Sequence, residues 1–200
     1  MKEMIWFDSN SPKELLMEFC KHAENDPLPG ASNMVLDNWE NNPASFMYKL
    51  YIEKIYDKEN GGRYFTQVED GKVTMGMGVN MWDKDNNIAL FATRLYRIPE
   101  MRGVGEKFIT QFGHIVVQMH DFAIECGYKA AMVTNNHYNL KMKENYKRDQ
   151  HKIDESIGRI YIHYDQPITV NYTKQWPAYV LYDDSYEDLL LEKFKETRWR

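Results

Sequence analysis

Cysteine is nearly absent from this chain. Cys20 and Cys126 are the two among 200 residues, which excludes a disulfide framework and points to reduced thiols. Long apolar runs are missing too. Stretches such as Ile88-Ala89-Leu90-Phe91-Ala92 fall far short of the ~20 residues a membrane helix needs, so no membrane partner is expected. The opening residues Met1 to Trp6 carry neither the apolar core nor the small-residue cleavage site of a secretory signal, and a cytoplasmic protein is expected. Basic charge is in deficit, with 25 Lys and Arg against 30 Asp and Glu and a net charge of −5. That balance speaks against nonspecific binding of nucleic acid. What is present is a core: 43% hydrophobic and 14% aromatic residues exclude disorder. A chain this long buries roughly 70% of its unfolded surface and needs no metal to hold together.

The residue pattern predicts strands and helices in one order. A strand over Ile5 to Phe7 precedes a helix opened by Ser11-Pro12, with Leu15, Leu16, Phe19, Cys20 and Ala23 at helical spacing. Asp26 to Gly30 breaks that helix, and a short one is expected over Ser32 to Glu40. Asn42-Pro43 reads as a cap and first turn, followed by Met47, Leu50, Tyr51, Lys54 and Ile55 at helical spacing until Asn60-Gly61-Gly62; the β-branched and aromatic content also permits a strand. Arg63 to Glu69, Asp70-Gly71 and Lys72 to Trp82 form a hairpin with a type I′ turn. A third antiparallel strand runs from Ile88 to Ile98. A helix follows from Gly103 to Cys126, with Phe108, Phe112, Ile115, Met119, Phe122 and Cys126 on one face. The strand Tyr128 to Thr134 then lies parallel to the strand ending at Ile98, because right-handed crossovers dominate. Residues 139–148 read as helix, 159–182 as one or two strands, and Asp183 to Trp199 as an amphipathic helix capped near Asp184-Ser185. The class is α+β around one mixed sheet, with residues 1–182 as one domain and 183–200 as a helix packed on it or on a partner.

Chemistry concentrates where the third strand meets the long helix. Gly103 and Gly105 let successive backbone N–H groups face outward together at a helix N-terminus, a setting that suits a phosphate or pyrophosphate; Arg102 and Lys107 add positive charge. No Gly-Lys-Ser/Thr follows, so this is not a P-loop, and the antiparallel strands before it exclude a dinucleotide fold. The run Pro99-Glu100-Met101-Arg102-Gly103-Val104-Gly105 resembles the acyl-CoA-binding motif of the GNAT superfamily of N-acetyltransferases, with Lys107 where that family prefers Gly or Ala. A second match lies downstream. Asn139 and Tyr146 have the family's seven-residue separation, while Met142 replaces a small residue and the closing Gly-Phe is missing.

The resemblance implies a GNAT-like fold: a central mixed, mostly antiparallel sheet flanked by helices, here with an extra C-terminal helix. It implies acetyl-CoA as co-substrate and direct attack by an amine acceptor, with a homodimer as an allowed assembly. The backbone of Arg102, Gly103, Val104, Gly105, Glu106 and Lys107 would cradle the pyrophosphate. Leu95, Tyr96 and Arg97 would pair with the pantetheine arm, one N–H polarising the thioester oxygen. Asn136 and Asn139 would hold the polar arm, and Tyr146 would protonate the departing thiolate. No general base is evident, and a water chain can serve. His114 and His120 lie six apart on one helix, which is not a ligand spacing, so no metal is expected. Gly76 and Gly78 in a strand admit either close substrate approach or a bulge. A rival reading is a GNAT fold without catalysis, serving assembly or interaction. The Met-, Asn- and Tyr-rich composition resembles that of proteins encoded by tailed phages.

Overall fold

The computed structural model describes residues 2–26, 38–102, 108–136 and 150–199. Among the described residues, eight strands and five α-helices follow one another as β1 (Lys2–Phe7), α1 (Lys13–Glu24), α2 (Phe46–Tyr51), β2 (Arg63–Glu69), β3 (Lys72–Asp83), β4 (Ile88–Arg97), α3 (Phe108–Glu125), β5 (Ala130–Asn136), α4 (residues 150–157), β6 (Ile162–His163), β7 (Ile168–Val170), β8 (Thr173–Leu181) and α5 (Glu187–Glu196). The strand order is β1-β2-β3-β4-β5-β8-β6, with β7 paired to β8. β4 and β5 run parallel, Ile88 opposite Ala130 through Phe91 opposite Val133, as the crossover through α3 requires. The neighbouring pairs β1–β2, β2–β3 and β5–β8 are antiparallel. The chain divides into two compact units, Met1–Asn80 with Ala92–Glu106 and Met81–Phe91 with Lys107–Arg200.

In the first unit the predicted hairpin is present. Asp70 (φ 49°) and Gly71 (φ 79°) take the left-handed conformations of a type I′ turn. The α1 face predicted from its spacing buries Leu16, Phe19, Cys20 and Ala23 against Phe46, Leu50, Tyr56, Tyr64 and Tyr96. Burial holds the Cys20 thiol neutral, its pKa pushed up to about 12 with a smaller push from Glu24.

α2 is shorter than the sequence predicts. Asn42 does not cap it. Its side chain accepts the Ala44 N–H at 3.1 Å and its carbonyl accepts the Ser45 N–H at 2.9 Å, so Asn42-Pro43 makes a turn of its own. The helix starts after Ser45 and stops before Lys54, which is left-handed (φ 54°), while the Ile55 N–H returns to the Lys49 carbonyl at 2.8 Å. Of the short helix expected over Ser32 to Glu40, residues 32–37 lie outside the described residues; Trp39–Asn41 is a 3-10 turn.

In the second unit α4 occupies a stretch for which the sequence pattern predicts no element, and residues 159–182 hold three strands where one or two are expected. The helix expected over residues 139–148 lies outside the described residues. α5 seats Phe194 against Tyr164, Tyr179 and Trp82, at ring separations of 5.0, 5.8 and 5.9 Å. Lys193 pairs with Asp83 at 3.4 Å. Asp183 caps the 3-10 turn Asp184–Tyr186 that leads into α5, its carboxylate accepting the Ser185 N–H at 3.2 Å, one residue earlier than expected; Tyr186, the residue before α5, makes no side-chain cap. His120 on α3 is fully satisfied inside this unit. It meets the Tyr161 hydroxyl at 2.9 Å through Nε2 and the Tyr182 hydroxyl at 2.7 Å through Nδ1.

Candidate functional site

The strand β4 is straight only in part. Ala92 (φ 57°) and Arg94 (φ 53°) are both left-handed, a conformation that costs a non-glycine residue about 1 kcal/mol or more. The paired ladder with β5 ends at Phe91, just before the first of them. Two buried tyrosines reach this stretch. The Tyr64 hydroxyl donates to the Arg94 carbonyl at 3.0 Å, and the Tyr56 hydroxyl meets Thr93 Oγ1 at 3.3 Å. Both rings are buried, at 0% and 2% exposure, and burial pushes both phenol pKa values up, so both hydroxyls stay protonated.

Gly76 and Gly78 on β3 make room for those rings. A Cβ at Gly76 would sit 2.5 Å from Tyr64 Cε1, and one at Gly78 would sit 2.4 Å from Tyr56 Cε1 and 2.6 Å from Thr93 Oγ1. The two glycines therefore house protein side chains, where the sequence left open substrate approach or a bulge, and the register shift of this hairpin lies between Gln67 and Val68. Tyr64 pairs with Gly78 across β2 and β3 and its ring lies over Gly76, while Tyr56, from the segment before β2, covers Gly78.

Beyond Arg94 the strand resumes. The Ile98 N–H donates to the Thr74 carbonyl of β3 at 2.9 Å. Alternation along a strand then turns the main-chain groups of Leu95 and Arg97 away from β3 and those of Tyr96 toward it. Pro99–Met101 forms a 3-10 turn, and Arg102 closes it. The Arg102 guanidinium reaches back to the Arg97 carbonyl, with Nε at 3.0 Å and Nη2 at 2.7 Å. It also ion-pairs with Asp26, whose side chain is 1% exposed and which accepts the Tyr96 hydroxyl at 2.9 Å. Hydrogen bonding to Asp26 raises the Arg102 pKa further, and burial followed by the Asp26 bond raises that of Tyr96. The guanidinium lies 5.4 Å from the Tyr96 ring centre, and Phe19 meets the same ring edge-on at 5.3 Å.

The predicted site residues fall as follows. Leu95, Tyr96, Arg97 and Arg102 lie together on β4 and the turn after it, with Tyr96 buried and the others half-buried. Gly103, Val104, Gly105, Glu106 and Lys107 lie outside the described residues, as do Asn139 and Tyr146. Asn136 is the last residue of β5, opposite Gln175. Sequence reasoning missed Asp26, Tyr56 and Tyr64. A shallow groove of about 650 Å³ beside the turn is lined by Glu14, Glu18, Lys21, His22, Asn25, Pro99 and Glu100. Among the described residues, no group of three or more His, Cys, Asp or Glu side chains could hold a metal ion.

No protein-family model matches the chain, and no curated protein matches it by sequence. Solved structures do match. YncA of Salmonella typhimurium, solved with its cofactor acetyl-CoA, aligns with a TM-score of 0.57 at 12% identity, over 92% of this chain and 95% of its own. A GNAT-family acetyltransferase of Staphylococcus aureus Mu50 aligns at 0.53 and 13%, over 90% and 98%. Spermidine N-acetyltransferase of Vibrio cholerae, in complex with CoA and spermine, aligns at 0.52 and 14%, over 89% and 95%. The chain has the fold that these proteins share. It is the GNAT fold.

Proposed function

We propose that this GNAT-fold chain is an acyl-CoA-dependent N-acetyltransferase that transfers acetyl to an amine by direct attack. One observation carries the reading: β4, the Pro99–Met101 turn, the Gly103–Gly105 pair and α3 follow one another in the order a pyrophosphate cradle requires. The residues present fit acetyl-CoA in one respect and qualify it in another. Leu95 and Arg97 turn main-chain groups away from β3, the edge along which an extended pantetheine would pair. Arg102 spends its guanidinium on Asp26 and the Arg97 carbonyl. Its share in the cradle is therefore to shape the backbone rather than to offer the phosphates a side chain.

Bound acetyl-CoA would supply an activated acetyl group on a good leaving group. The backbone of residues 102–107 would hold the pyrophosphate at the start of α3. Main-chain N–H groups of Leu95 and Arg97 would hold the arm, and one of them would polarise the thioester oxygen. Tyr146 would give its proton to the sulfur as the carbon–sulfur bond breaks, and water would take the proton the amine sheds. Asn136 and Asn139 would hold the polar arm. The excess of acidic residues suits a cationic acceptor such as a polyamine or a protein amine.

Calorimetric titration with acetyl-CoA tests the reading. Binding is expected in the wild type and a loss of at least tenfold in Gly105→Asp, which brings a Cβ and a negative charge to the phosphates. Wild type and variant binding equally would move the cradle elsewhere. No binding by the wild type would refute the enzyme reading and leave a GNAT fold used for interaction.

A further inference from the structure

Tyr64 was no part of any expected site, yet its hydroxyl reaches a main-chain atom beside the residues expected to pair with the cofactor. It donates to the Arg94 carbonyl at 3.0 Å. The peptide joining Arg94 to Leu95 is trans, since no cis peptide occurs among the described residues. In a trans peptide the C=O and the following N–H point in opposite directions within one plane. Fixing the Arg94 carbonyl therefore fixes the Leu95 N–H, and aims it directly away from Tyr64. The alternation counted back from the Ile98–Thr74 bond gives that N–H the same direction, away from β3.

That peptide needs holding. Arg94 is left-handed, as is Ala92 two residues earlier, so the backbone here sits in a well that is costly for a non-glycine residue. Surrounding structure must over-determine such a conformation for it to persist. The support is rigid. The Tyr64 ring is 0% exposed, wedged over Gly76, which has no side chain to displace it. Phe46 packs on it at 4.5 Å and Tyr56 at 5.7 Å between ring centres. With the ring immobile, the hydroxyl is a fixed point from which the peptide plane hangs.

We infer that Tyr64 is a positioning residue, which orients the Leu95 N–H as the donor that polarises the acetyl thioester carbonyl. The inference rests on the acetyltransferase reading above. Tyr64 does not touch the acetyl group; it acts through one peptide plane. Tyr56, its neighbour in the same layer, meets a side chain at Thr93 and not the main chain, so it lacks this lever.

The test is isotope-edited infrared spectroscopy of acetyl-CoA carrying ¹³C at the thioester carbonyl. Bound to the wild type, the carbonyl band is expected to move to lower frequency than in solution. Tyr64→Phe keeps the ring and removes the donor. It should lose most of that shift and lower the turnover of acetyl-CoA about tenfold, at an acetyl-CoA KM within about threefold, because misaiming a transition-state donor affects kcat first. Tyr56→Phe removes the same atom from the same layer and should leave the shift intact. Replacing Tyr64 by p-aminophenylalanine restores a donor on the same ring and should restore the shift, which keeps the test decisive if Tyr64→Phe does not fold. Equal loss of shift in Tyr56→Phe and Tyr64→Phe would overturn the inference in favour of plain packing. So would a folded Tyr64→Phe with a wild-type shift, or wild type that binds acetyl-CoA with no shift at all. Wild type that binds no acetyl-CoA would overturn the acetyltransferase reading itself, and the inference with it.

Discussion

Removing the Arg102 guanidinium while keeping its bulk, as in Arg102→Leu, leaves the Asp26 carboxylate in place with its cation gone. The Asp26 side chain is 1% exposed, whereas Arg102 is 30% exposed and can still reach water. The two ends of this ion pair are therefore unequal. Breaking a buried pair by deleting one partner typically costs 3–5 kcal/mol, and about 3 kcal/mol is expected here because the pair is buried on one side only. Asp26→Asn removes the charge at the buried end and leaves a guanidinium that water can solvate, so about 1 kcal/mol is expected. If each loss were independent, Arg102→Leu with Asp26→Asn would cost the sum, about 4 kcal/mol. The double variant should instead cost about 2 kcal/mol, since the amide no longer needs a cation, giving a coupling of about 2 kcal/mol. Urea unfolding followed by tryptophan fluorescence reads all four proteins, with unchanged slopes confirming a common unfolding reaction. An Arg102→Leu cost below about 1 kcal/mol, or additivity within about 0.5 kcal/mol, would refute the premise that Arg102 balances a buried charge.

Gly78→Ala sets a methyl 2.4 Å from Tyr56 Cε1, a ring with 2% exposure and no room to retreat, and should lower stability by about 2–3 kcal/mol in the same urea assay; an unchanged midpoint would mean the tyrosine layer is loose. His120 carries the opposite kind of test. Burial, then the nearby Arg159 charge, lowers its pKa from 6.5 to about 3, so the unfolded chain binds a proton that the folded chain refuses. Stability contributed this way is present above pH 6.5 and is lost as pH falls from 6.5 toward 3, by at most about 1.4 kcal/mol per pH unit. The urea midpoint of wild type should fall more steeply over that window than that of His120→Gln, and parallel pH profiles would show that His120 titrates freely in the folded protein.

What the sequence made legible, and what it hid, divides by the distance over which each feature is decided. The β2–β3 hairpin was readable because Asp70-Gly71 lies between two alternating runs, and the parallel β4–β5 pair because a crossover helix admits one hand. The strand and turn over residues 95–102 were readable for the same local reason, and with them the place of Leu95, Arg97 and Arg102. Asn42-Pro43 misled because a capping residue and a turn residue use the same side-chain oxygen, and only the partner it finds separates them. The partners of the site were beyond any local pattern. Asp26 stands 76 residues from Arg102, and Tyr64 stands 30 from Arg94, so neither pair leaves a spacing to detect. One signal was there to be read. Two glycines two apart in a strand, Gly76 and Gly78, empty one face of the sheet over adjacent sites, and an aromatic-rich chain must fill that face from a neighbouring element. Tyr64 on the adjacent strand and Tyr56 just before it were the candidates to fill it. The left-handed residues of β4 are the consequence furthest from the sequence: neither Ala92 nor Arg94 favours that conformation. It persists where Tyr64 grips the Arg94 carbonyl. The irregularity of β4 is thus written in β3 and β2 rather than in β4 itself.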